Sequence, residues 1–497
     1  MRNFTECENL VMAMLFCAAM TTTALAQSFG NLASFDTTNG NAPQAALVQG
    51  ADGNLYSTAS MGGLNGNGTI FRITLNGALN PIYSFCSLPI CADGAFPFAA
   101  LILSTDGDFY GTTDAGGANY AGAIFKINSR GAFAVVHSFD VTDGASPQAP
   151  LIQASDGNFY GTTTVGGHYP HRCDGNYCGT VFKITPAGAL GSAGFDLTDG
   201  AQPEGPLIQA ADGNFYGTTP QGGSSSSCGT AGCGAIFRAT PTGGLSALYS
   251  FCSQSSCVDG YQPIGGLVQG TDGNFYGTTS AGGTDLIDCV MGCGTVFKIT
   301  PDGALTTLHS FSLVDGAYPL AGLIQATDGN FYGTTFQGGD LACHASNDFP
   351  GCGTVFQITP AGTLTTVHNL ELTDGVYPKA PLFQATNGDL YGSASQGGDL
   401  GCNIPYGCGS IFTFSMGLGP FVSFAHSSAK VGQMGGILGQ GFTGSTSVSL
   451  NGTPASFTVV SDTFIRATVP DGATTGYVTV TTSSGTLTSN VPFNVLP

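Results

Sequence analysis

Apolar and polar residues alternate in short runs along most of this chain, and one such run recurs seven times. Each copy resembles LIQASDGNFYGTT and carries one tyrosine, at Tyr56, Tyr110, Tyr160, Tyr216, Tyr276, Tyr332 and Tyr391, with spacings of 50 to 60 residues. A fixed period of this size is typical of a repeat fold, in which each unit buries its apolar surface only by stacking on its neighbours.

Each repeat contains four short strand-like segments separated by turn signals. Asp328-Gly329 predicts a tight turn after the first segment, because Asp-Gly tolerates the positive φ angles of such turns. In the repeat around Tyr332 the segments are residues 323–326, 330–335, 353–359 and 364–368. Four antiparallel strands without helical periodicity predict one blade of a β-propeller.

The two ends of the repeat region complement each other. Residues 32–35 form a fourth-strand motif before any complete repeat, and the last repeat stops after its third strand, residues 409–414. We therefore predict an all-β fold: a seven-bladed β-propeller with four-stranded blades, in which the N-terminal strand closes the last blade. Closure removes the two exposed sheet edges of an open array.

The composition changes after residues 417–420, which we interpret as a linker. Asn451-Gly452 and Asp471-Gly472 supply turns between alternating strands at residues 446–450, 456–460, 464–469 and 477–482. This pattern predicts a small Ig-like β-sandwich. The predicted domains are a signal peptide at 1–26, the propeller at 27–416, the linker at 417–420 and the Ig-like domain at 421–497.

The first 26 residues have the pattern of a secretory signal. An apolar run extends over residues 10–20, and Ala24-Leu25-Ala26 precedes Gln27 as a small-x-small cleavage pattern. No later stretch of 18 apolar residues is present, so no membrane span is predicted. The expected location is therefore secreted, extracellular or at the cell surface.

The cysteine pattern agrees with export. Of the 16 cysteines, Cys7 and Cys17 fall in the predicted signal. The others form close pairs, which predict disulfides in an exported chain; a zinc site is the alternative but needs two pairs converging on one ion. The pairs are Cys86/Cys91, Cys173/Cys178, Cys228/Cys233, Cys252/Cys257, Cys289/Cys293, Cys343/Cys352 and Cys402/Cys408.

Net charge excludes one class of partner. The chain has a formal charge of −20 at pH 7 and no basic cluster, so it repels the phosphate backbone, and nucleic acid is not expected as a partner. Charged residues make up only 8% of the chain. That low fraction does not predict disorder, because 42% hydrophobic residues in periodic strands can build a core.

The repeat pattern DGNFYGTT…GG…CGTVFKITPxGxLTTLHSF, over about residues 29–415, resembles the bacterial GloVer tandem-repeat proteins, whose members differ in their choice of anchor. The C-terminal part resembles an IPT/TIG immunoglobulin-like domain, on the motifs ILGQGF at 437–442, SVSLNG at 447–452 and VPDGATTG at 469–476. Both resemblances imply an exported, surface-associated bacterial protein. Neither brings catalytic residues to this chain.

One loop of the third repeat contains residue types that do not recur elsewhere. Its candidate ligand-binding residues are His168, Tyr169, His171, Arg172, Asp174 and Tyr177, and Tyr406 in the seventh repeat is a further candidate for stacking on a sugar, since Trp is absent. A general acid–base site and a variable stapled loop of ordinary polar residues are the alternatives. All seven cysteine pairs are expected on one face of the propeller, in the loops between second and third strands and between successive blades.

Catalytic signals are weak. The Asp-Gly pairs repeat at every turn, which favours a structural role over calcium binding, and His137, His309 and His368 share one outer-strand position where packing is expected. Loop acids at Asp285, Asp288, Asp340, Asp348 and Asp399 are the candidates for a glycosidase, and no HExxH motif or nucleophile elbow is present. No catalytic residue, metal or cofactor is predicted.

The expected function is non-enzymatic recognition of a polysaccharide or a surface protein through the stapled face. The alternatives are an extracellular carbohydrate-active enzyme and a structural matrix or spacer protein. Converging acids would favour the enzyme and clustered tyrosines the binder. The sequence does not predict the oligomeric state.

Overall fold

The computed structural model describes residues 27–167, 178–343 and 350–496. Within these ranges it contains nine four-stranded sheets and one two-stranded sheet. Among the described residues, helix is limited to three single 3-10 turns, Pro89–Cys91, Gly229–Ala231 and Ser255–Cys257. The predicted all-β, four-stranded antiparallel architecture is confirmed.

Seven of the four-stranded sheets, here called sheets 1 to 7, come from the repeats. In each, the strands are labelled A, B, C and D by their order across the sheet, which is also the chain order in sheets 1 to 6. The A strands are Val48–Gln49, Ile102–Leu103, Ile152–Gln153, Ile208–Gln209, Val268–Gln269, Ile324–Gln325 and Phe383–Gln384. The B strands are Leu55–Ala59, Phe109–Thr113, Phe159–Thr163, Phe215–Thr219, Phe275–Thr279, Phe331–Thr335 and Leu390–Ala394.

The outer half of each sheet follows the same plan. The C strands are Thr69–Ile73, Ala123–Ile127, Thr180–Ile184, Ala235–Ala239, Thr295–Ile299, Thr354–Ile358 and Ser410–Ser415. The D strands of sheets 1 to 6 are Leu79–Ser84, Phe133–Ser138, Leu190–Gly194, Leu245–Ser250, Leu305–Ser310 and Leu364–Asn369. Strand D of sheet 7 is the N-terminal strand Ser28–Ser34, which pairs antiparallel with Ser410–Ser415.

The repeated tyrosine explains why consecutive sheets pack together. The Tyr110 ring in sheet 2 stacks on Phe159 of sheet 3 with centroids 4.2 Å apart, and its hydroxyl donates to Asp106 Oδ2 at 2.9 Å. One side chain thus fills the space between two sheets and fixes the A–B turn beneath it. The same pair of contacts recurs at Tyr160 and Tyr276.

The glycine that follows this tyrosine is required by close packing. A Cβ at Gly111 would lie 2.6 Å from Cζ of Phe125 and 2.8 Å from Cδ2 of Leu101. The glycine therefore lets the strand C phenylalanine lie flat across strand B. Phe125 is fully buried, which accounts for the repetition of the Tyr-Gly pair.

The sheets form a closed cycle of neighbours. Separate buried clusters join sheets 1 and 2, 2 and 3, 3 and 4, 4 and 5, 5 and 6, and 6 and 7. A further cluster joins sheet 7 to sheet 1 through Tyr391, Ile411, Phe35 and Phe71. Phe29 of the N-terminal strand also stacks on His368 of sheet 6 at 3.7 Å. The N-terminal strand thus completes sheet 7 and also contacts the preceding sheet.

Residues 421–496 form a second group of sheets, here called the C-terminal unit. One sheet contains Ser423–Phe424, Met434–Leu438, Phe464–Thr468 and Phe457–Ser461; the other contains Thr453–Pro454, Ser447–Leu450, Val478–Thr482 and Gly485–Thr488. Ser428–Lys430 and Asn494–Leu496 pair in parallel. Val422, Phe442, Ile465 and Val480 lie in the core between the sheets.

The C-terminal unit contacts the A–B turns of the repeat sheets. Thr463 Oγ1 donates to the carbonyl of Ala51 in sheet 1 at 2.8 Å, and Phe421 N–H donates to Thr386 O in sheet 7 at 3.1 Å. His426 Nε2 lies 3.3 Å from Ala154 O in sheet 3. Because B–C and D–A loops emerge at the opposite ends of the strands, the C-terminal unit leaves that other face open.

Candidate functional site

The candidate site is the face formed by the B–C and D–A loops, here called the stapled face; the opposite face, with the A–B and C–D turns, is called the turn face. Each D–A loop pairs with the next B–C loop through a backbone bridge. Seven such bridges recur, joining Asn41–Met61, Ala95–Ala115, Ala145–Val165, Ala201–Gln221, Tyr261–Ala281, Ala317–Gln337 and Val376–Gln396. The loops therefore form one continuous surface.

The predicted use of cysteine in disulfide bonds is confirmed, and every disulfide that the structure describes lies on the stapled face. The D–A loops after sheets 1 and 4 contain Cys86–Cys91 and Cys252–Cys257. The B–C loops of sheets 4 to 7 contain Cys228–Cys233, Cys289–Cys293, Cys343–Cys352 and Cys402–Cys408. Cys173 lies outside the described residues, and its predicted partner Cys178 is buried in the B–C loop of sheet 3.

In the disulfide-containing B–C loops of sheets 4 to 7, two backbone segments approach closely at a glycine. Gly292 has φ of 75° and a Cβ there would lie 2.2 Å from Gly282 O. Gly232, Gly351 and Gly407 make the same close approach in sheets 4, 6 and 7. The backbone can cross itself at these points only without a side chain.

An aspartate in each of three D–A loops is bound to a histidine at the end of strand D. His309 Nε2 lies 2.9 Å from Asp315 Oδ2, and His137 and His368 pair in the same way with Asp143 and Asp374 at 2.8 Å. Burial acts to raise the pKa of Asp315, but hydrogen bonds from His309 and the Ser312 backbone hold it below its ordinary value. These histidines therefore hold the D–A loops in place. In the sequence this role is indicated by an aspartate that follows the histidine by six residues in all three repeats.

The disulfide-containing D–A loops use tyrosine for the same purpose. Tyr83 donates to Asp93 Oδ2 at 2.8 Å, and Ser87 donates through both its backbone N–H and its hydroxyl. Asp93 is fully buried; burial acts to raise its pKa, and these hydrogen bonds bring it below its ordinary value. Burial raises the pKa of Tyr83 to about 12. The carboxylate of Asp93 thereby fixes the conformation of the D–A loop after sheet 1.

Apolar side chains exposed in the repeat region concentrate on the stapled face. Ile287 and Val290 in sheet 5 are 92% and 90% exposed, and Ile404 in sheet 7 is 78% exposed. Among the described residues of the repeat region, every exposed large apolar side chain except Val135 lies in a B–C or D–A loop. They are Met61, Leu64, Leu88, Ile90, Tyr120, Val141, Leu286, Ile287, Val290, Met291, Val314, Leu341, Ile404 and Tyr406.

The same face is acidic. In the described part of its loops Lys379 is the one lysine or arginine. The acids there are Asp36, Asp93, Asp114, Asp140, Asp143, Asp196, Asp199, Glu204, Asp259, Asp285, Asp288, Asp315, Asp340, Glu371, Asp374 and Asp399. Such a surface attracts cationic groups and repels anionic polymers.

A variable position lies in each D–A loop, close to strand A. It follows a proline and precedes a leucine by three residues in every repeat, four residues before strand A, and is occupied by Gln44, Phe98, Gln148, Glu204, Ile264, Leu320 and Lys379. Gln148 Nε2 donates to Asp114 Oδ1 at 3.0 Å, and burial raises the pKa of Glu204. The residue type at this position changes from repeat to repeat, whereas the proline before it and the leucine three residues later do not. This pattern is visible in the sequence, but the position was not predicted as functional.

Most of the predicted binding residues lie outside the described part of the structure. These are His168, Tyr169, His171, Arg172, Asp174 and Tyr177; the flanking Gly167 and Cys178 belong to the stapled face. Tyr406 is described there and is 41% exposed. It belongs to sheet 7, which packs against sheets 6 and 1 and not against sheet 3. The assignment of these seven residues to a binding site stays a prediction.

Three of the four described acids proposed for a glycosidase accept hydrogen bonds from their own loops, and the fourth, Asp288, is exposed. Asp285 accepts from the N–H groups of Ile287 and Asp288, and Asp340 and Asp399 accept from Ala342 and Gly401. Asp348 lies outside the described residues. Within the described ranges, the one group of three possible metal ligands is Cys228, Cys233 and Cys252, all three of which are in disulfides.

Across residues 27–167, 178–343 and 350–496, no helix has the length and apolar character needed to span a membrane.

Comparison with known sequences places the chain in a family. The Gloeobacter/Verrucomicrobia repeat matches residues 18–227, 174–345 and 289–454, so the chain belongs to this tandem-repeat family. The predicted repeat resemblance is confirmed to that extent, and the IPT/TIG resemblance stays a prediction. No curated protein matches the chain.

Several solved structures are similar to this chain at low sequence identity. A fungal alcohol oxidase of the AA5 family in complex with copper has a TM-score of 0.50 and 13% identity, covering 95% of this chain and 99% of that chain. Hydrazine synthase of Kuenenia stuttgartiensis has a TM-score of 0.46 and 11% identity, with 72% and 94% covered. A putative 6-phosphogluconolactonase from Bacteroides uniformis has a TM-score of 0.41 and 15% identity, with 66% and 85% covered. The first likeness shows a propeller-like fold and nothing about activity.

Proposed function

We propose that this protein is an exported, surface-associated recognition protein that binds its ligand through the stapled face. In this proposal sheets 1 to 7 are the blades of a seven-bladed β-propeller over residues 27–416, and residues 417–420 link it to an Ig-like domain of the IPT/TIG type at 421–497. The closed cycle of buried clusters and the N-terminal strand in sheet 7 support the closed propeller.

The observation that carries the binding role is the one-sided exposure of apolar side chains. A monomeric soluble surface rarely concentrates such side chains, and where it does they mark an interaction site. Val290 lies inside the ring closed by Cys289–Cys293, and Ile287 lies two residues before it in the same loop. A loop held by a disulfide loses less conformational entropy when a partner binds, so these apolar side chains are presented at low cost.

Of the two ligand classes expected from the sequence, the surface favours a protein over a polysaccharide. Its exposed aliphatic side chains match an apolar protein patch, and its acids complement lysine and arginine around that patch. His168, Tyr169, His171, Arg172, Asp174, Tyr177 and Tyr406 remain candidate contact residues. The carbohydrate-active enzyme is less well supported, because Asp285, Asp340 and Asp399 each cap their own loop.

The test measures retention of the oxidised full chain on neutral and acidic polysaccharides and on purified envelope proteins of the producing organism, together with released reducing ends. Ile287→Asp with Val290→Asp should abolish retention on a protein ligand, and the control Val135→Asp, on the outer strand, should retain it. Equal retention of both variants on the protein ligand, or release of reducing ends, would contradict the proposal.

A further inference from the structure

Basic residues gather in a cleft on the other side of the molecule. The cleft lies between the A–B and C–D turns of sheet 2, the A–B turn of sheet 3 and the C-terminal unit, and has a volume of about 1090 Å³. Arg130, Lys430 and Arg466 line it together with His426. The whole chain has only 11 lysines and arginines against 31 acids, so three cations in one concave surface are a marked local excess.

The one acidic side chain in the cleft is already paired with a lysine. Asp156 is the one carboxylate among the lining residues, and its Oδ2 lies 2.7 Å from Lys183 Nζ. Burial acts to raise the pKa of Asp156, and the hydrogen bonds from Lys183 and Asn158 lower it to about 2. Asp156 therefore stays ionised and paired with a lysine outside the cleft, and the lining as a whole keeps a net positive charge.

Two of the cations are available to a ligand. Within the described ranges neither Arg130 nor Arg466 forms a salt bridge, and both side chains are exposed. Arg130 lies in the C–D turn of sheet 2, whereas Arg466 lies on the strand Phe464–Thr468 of the C-terminal unit. The two arginines thus line the same cleft from different parts of the fold.

We propose that this cleft binds an acidic polysaccharide whose repeated carboxylates pair with Arg130 and Arg466, with Lys430 adding to the positive field. A guanidinium fork matches a carboxylate in two parallel hydrogen bonds. Between the cations the lining has hydroxyl groups, including those of Ser104, Ser129 and Ser428, and the exposed apolar Met434. Hydroxyls and an apolar contact suit the edges and the face of a sugar ring.

A polyphosphate chain fits the molecule less well. The formal charge of −20 repels a long, densely charged backbone beyond the cleft. A polyuronate carries one charge per sugar, so it presents less charge to the acidic remainder of the surface. Separated cations on two parts of the fold also suit spaced carboxylates better than a single small anion.

The site is independent of the recognition proposed for the stapled face, because it lies on the turn face. A local cationic cleft would let a protein with an acidic overall composition bind an acidic polymer. The anionic loops and the cationic cleft face opposite directions, so one molecule can hold an acidic polymer behind it and present the stapled face outward.

The experiment measures the affinity of the oxidised full chain for polygalacturonate and for the same polymer after reduction of its carboxyl groups. We expect binding of the acidic polymer alone, weakened by raising the salt concentration. Arg130→Gln combined with Arg466→Gln should weaken it at least about tenfold, the size expected for lost charged hydrogen bonds. Arg130→Lys with Arg466→Lys should restore part of the affinity.

The matched control is Lys298→Gln, which removes one positive charge from the turn face of sheet 5. In sheet 6 the equivalent position is occupied by Gln357, which donates a hydrogen bond to Asp328 at 3.2 Å. This variant, and Ile287→Asp with Val290→Asp on the stapled face, should bind polygalacturonate as the unmodified chain does. The proposal is overturned if the unmodified chain does not bind, if the double arginine variant binds equally, if Lys298→Gln is weakened as much, or if polyphosphate binds more tightly.

Discussion

The stapled face and the turn face are built from the same repeats, yet they differ in almost every chemical respect. On the turn face short Asp-Gly turns place Asp156 and Asp272 within 2.7 Å of Lys183 and Lys298. The stapled face has longer loops, six described disulfides and exposed side chains such as Ile287. Outside the cationic cleft the turn face is polar and its charges are paired, whereas the stapled face is apolar, acidic and held by disulfides.

The difference shows how a repeat fold separates stability from recognition. Tyr276 of strand B reaches Asp272 in the A–B turn and Phe331 of the next sheet, so the turn-face ends of the strands are tied to the packing between sheets. The loops at the other end join the same clusters through buried residues such as Phe311 and Cys293. Their exposed parts vary in length and sequence, and disulfides and hydrogen-bonded carboxylates such as Asp315 hold them in place.

The largest expected effect contrasts two glycines of sheet 5. Gly292→Ala in the stapled loop should destabilise the protein by about 3 kcal/mol or more, because it adds backbone overlap to the strain of a positive φ. Its Cβ would lie 2.2 Å from Gly282 O, whereas nothing lies within 4 Å of a Cβ at Gly273 in the A–B turn. Gly273→Ala should cost only about 1–2 kcal/mol. Urea denaturation measures both, and equal losses would break the contrast.

Disulfide removal comes next in size. Cys289→Ala with Cys293→Ala should cost about 2 kcal/mol, the chain-entropy value for so short a loop. The loss is expected to be local, with faster hydrogen exchange in residues 284–294 and unchanged exchange in the C–D turn at residues 300–304. Faster exchange in both segments would show that the disulfide supports the whole sheet.

The aspartate that fixes the D–A loop has a smaller effect. Asp315→Asn should destabilise the protein by about 1 kcal/mol, because it weakens the hydrogen bonds with His309 and Ser312. Since the folded-state pKa of Asp315 is below its ordinary value of 3.8, its contribution is present above that pH and is lost as the pH falls through the lower folded value.

Thermal unfolding of both proteins between pH 7 and pH 2 checks this dependence. The difference in stability between the unmodified chain and Asp315→Asn should shrink below about pH 4. Asp288→Asn, at an exposed position in the B–C loop of the same sheet, serves as the control and should follow the unmodified chain across this range. A difference that grows on acidification would contradict the lowered pKa of Asp315.

The smallest effect is expected on the turn face. Lys183→Gln removes the partner of Asp156, but both side chains are about two-fifths exposed, so solvent screening limits the loss to below about 0.5 kcal/mol. Denaturation in low and high salt tests this value. A loss as large as that of Asp315→Asn would mean that ion pairs on the turn face matter as much as the hydrogen bonds of the stapled face.

Regularity in the sequence was enough to predict the sheets. Tyr332 and its six equivalents marked the repeats, and the observed strand Phe331–Thr335 lies inside the predicted segment 330–335. The lone N-terminal strand pairs with Ser410–Ser415, as the incomplete last repeat indicated. Such features are local and recur, so each copy corroborates the others.

Features that depend on tertiary contact were not predictable. Arg130 and Arg466 are more than 300 residues apart in sequence and meet only because the C-terminal unit lies over sheets 1, 3 and 7. The partners of His137, His309 and His368 were also missed, although each aspartate follows at the same spacing. The predicted packing role did not consider a hydrogen bond from an outer strand into the following loop.

Photo-crosslinking shows most directly whether the stapled face contacts the partner. A benzoylphenylalanine replacing Ile287 on that face is compared with one replacing Asp302 on the turn face of the same sheet, each in the oxidised full chain with envelope proteins present. We expect one adduct of defined mass from position 287, lost on adding Val290→Asp, and none from position 302. Adducts from position 302 alone, or an adduct at position 287 that is only a second copy of this chain, would contradict recognition of a partner through the stapled face.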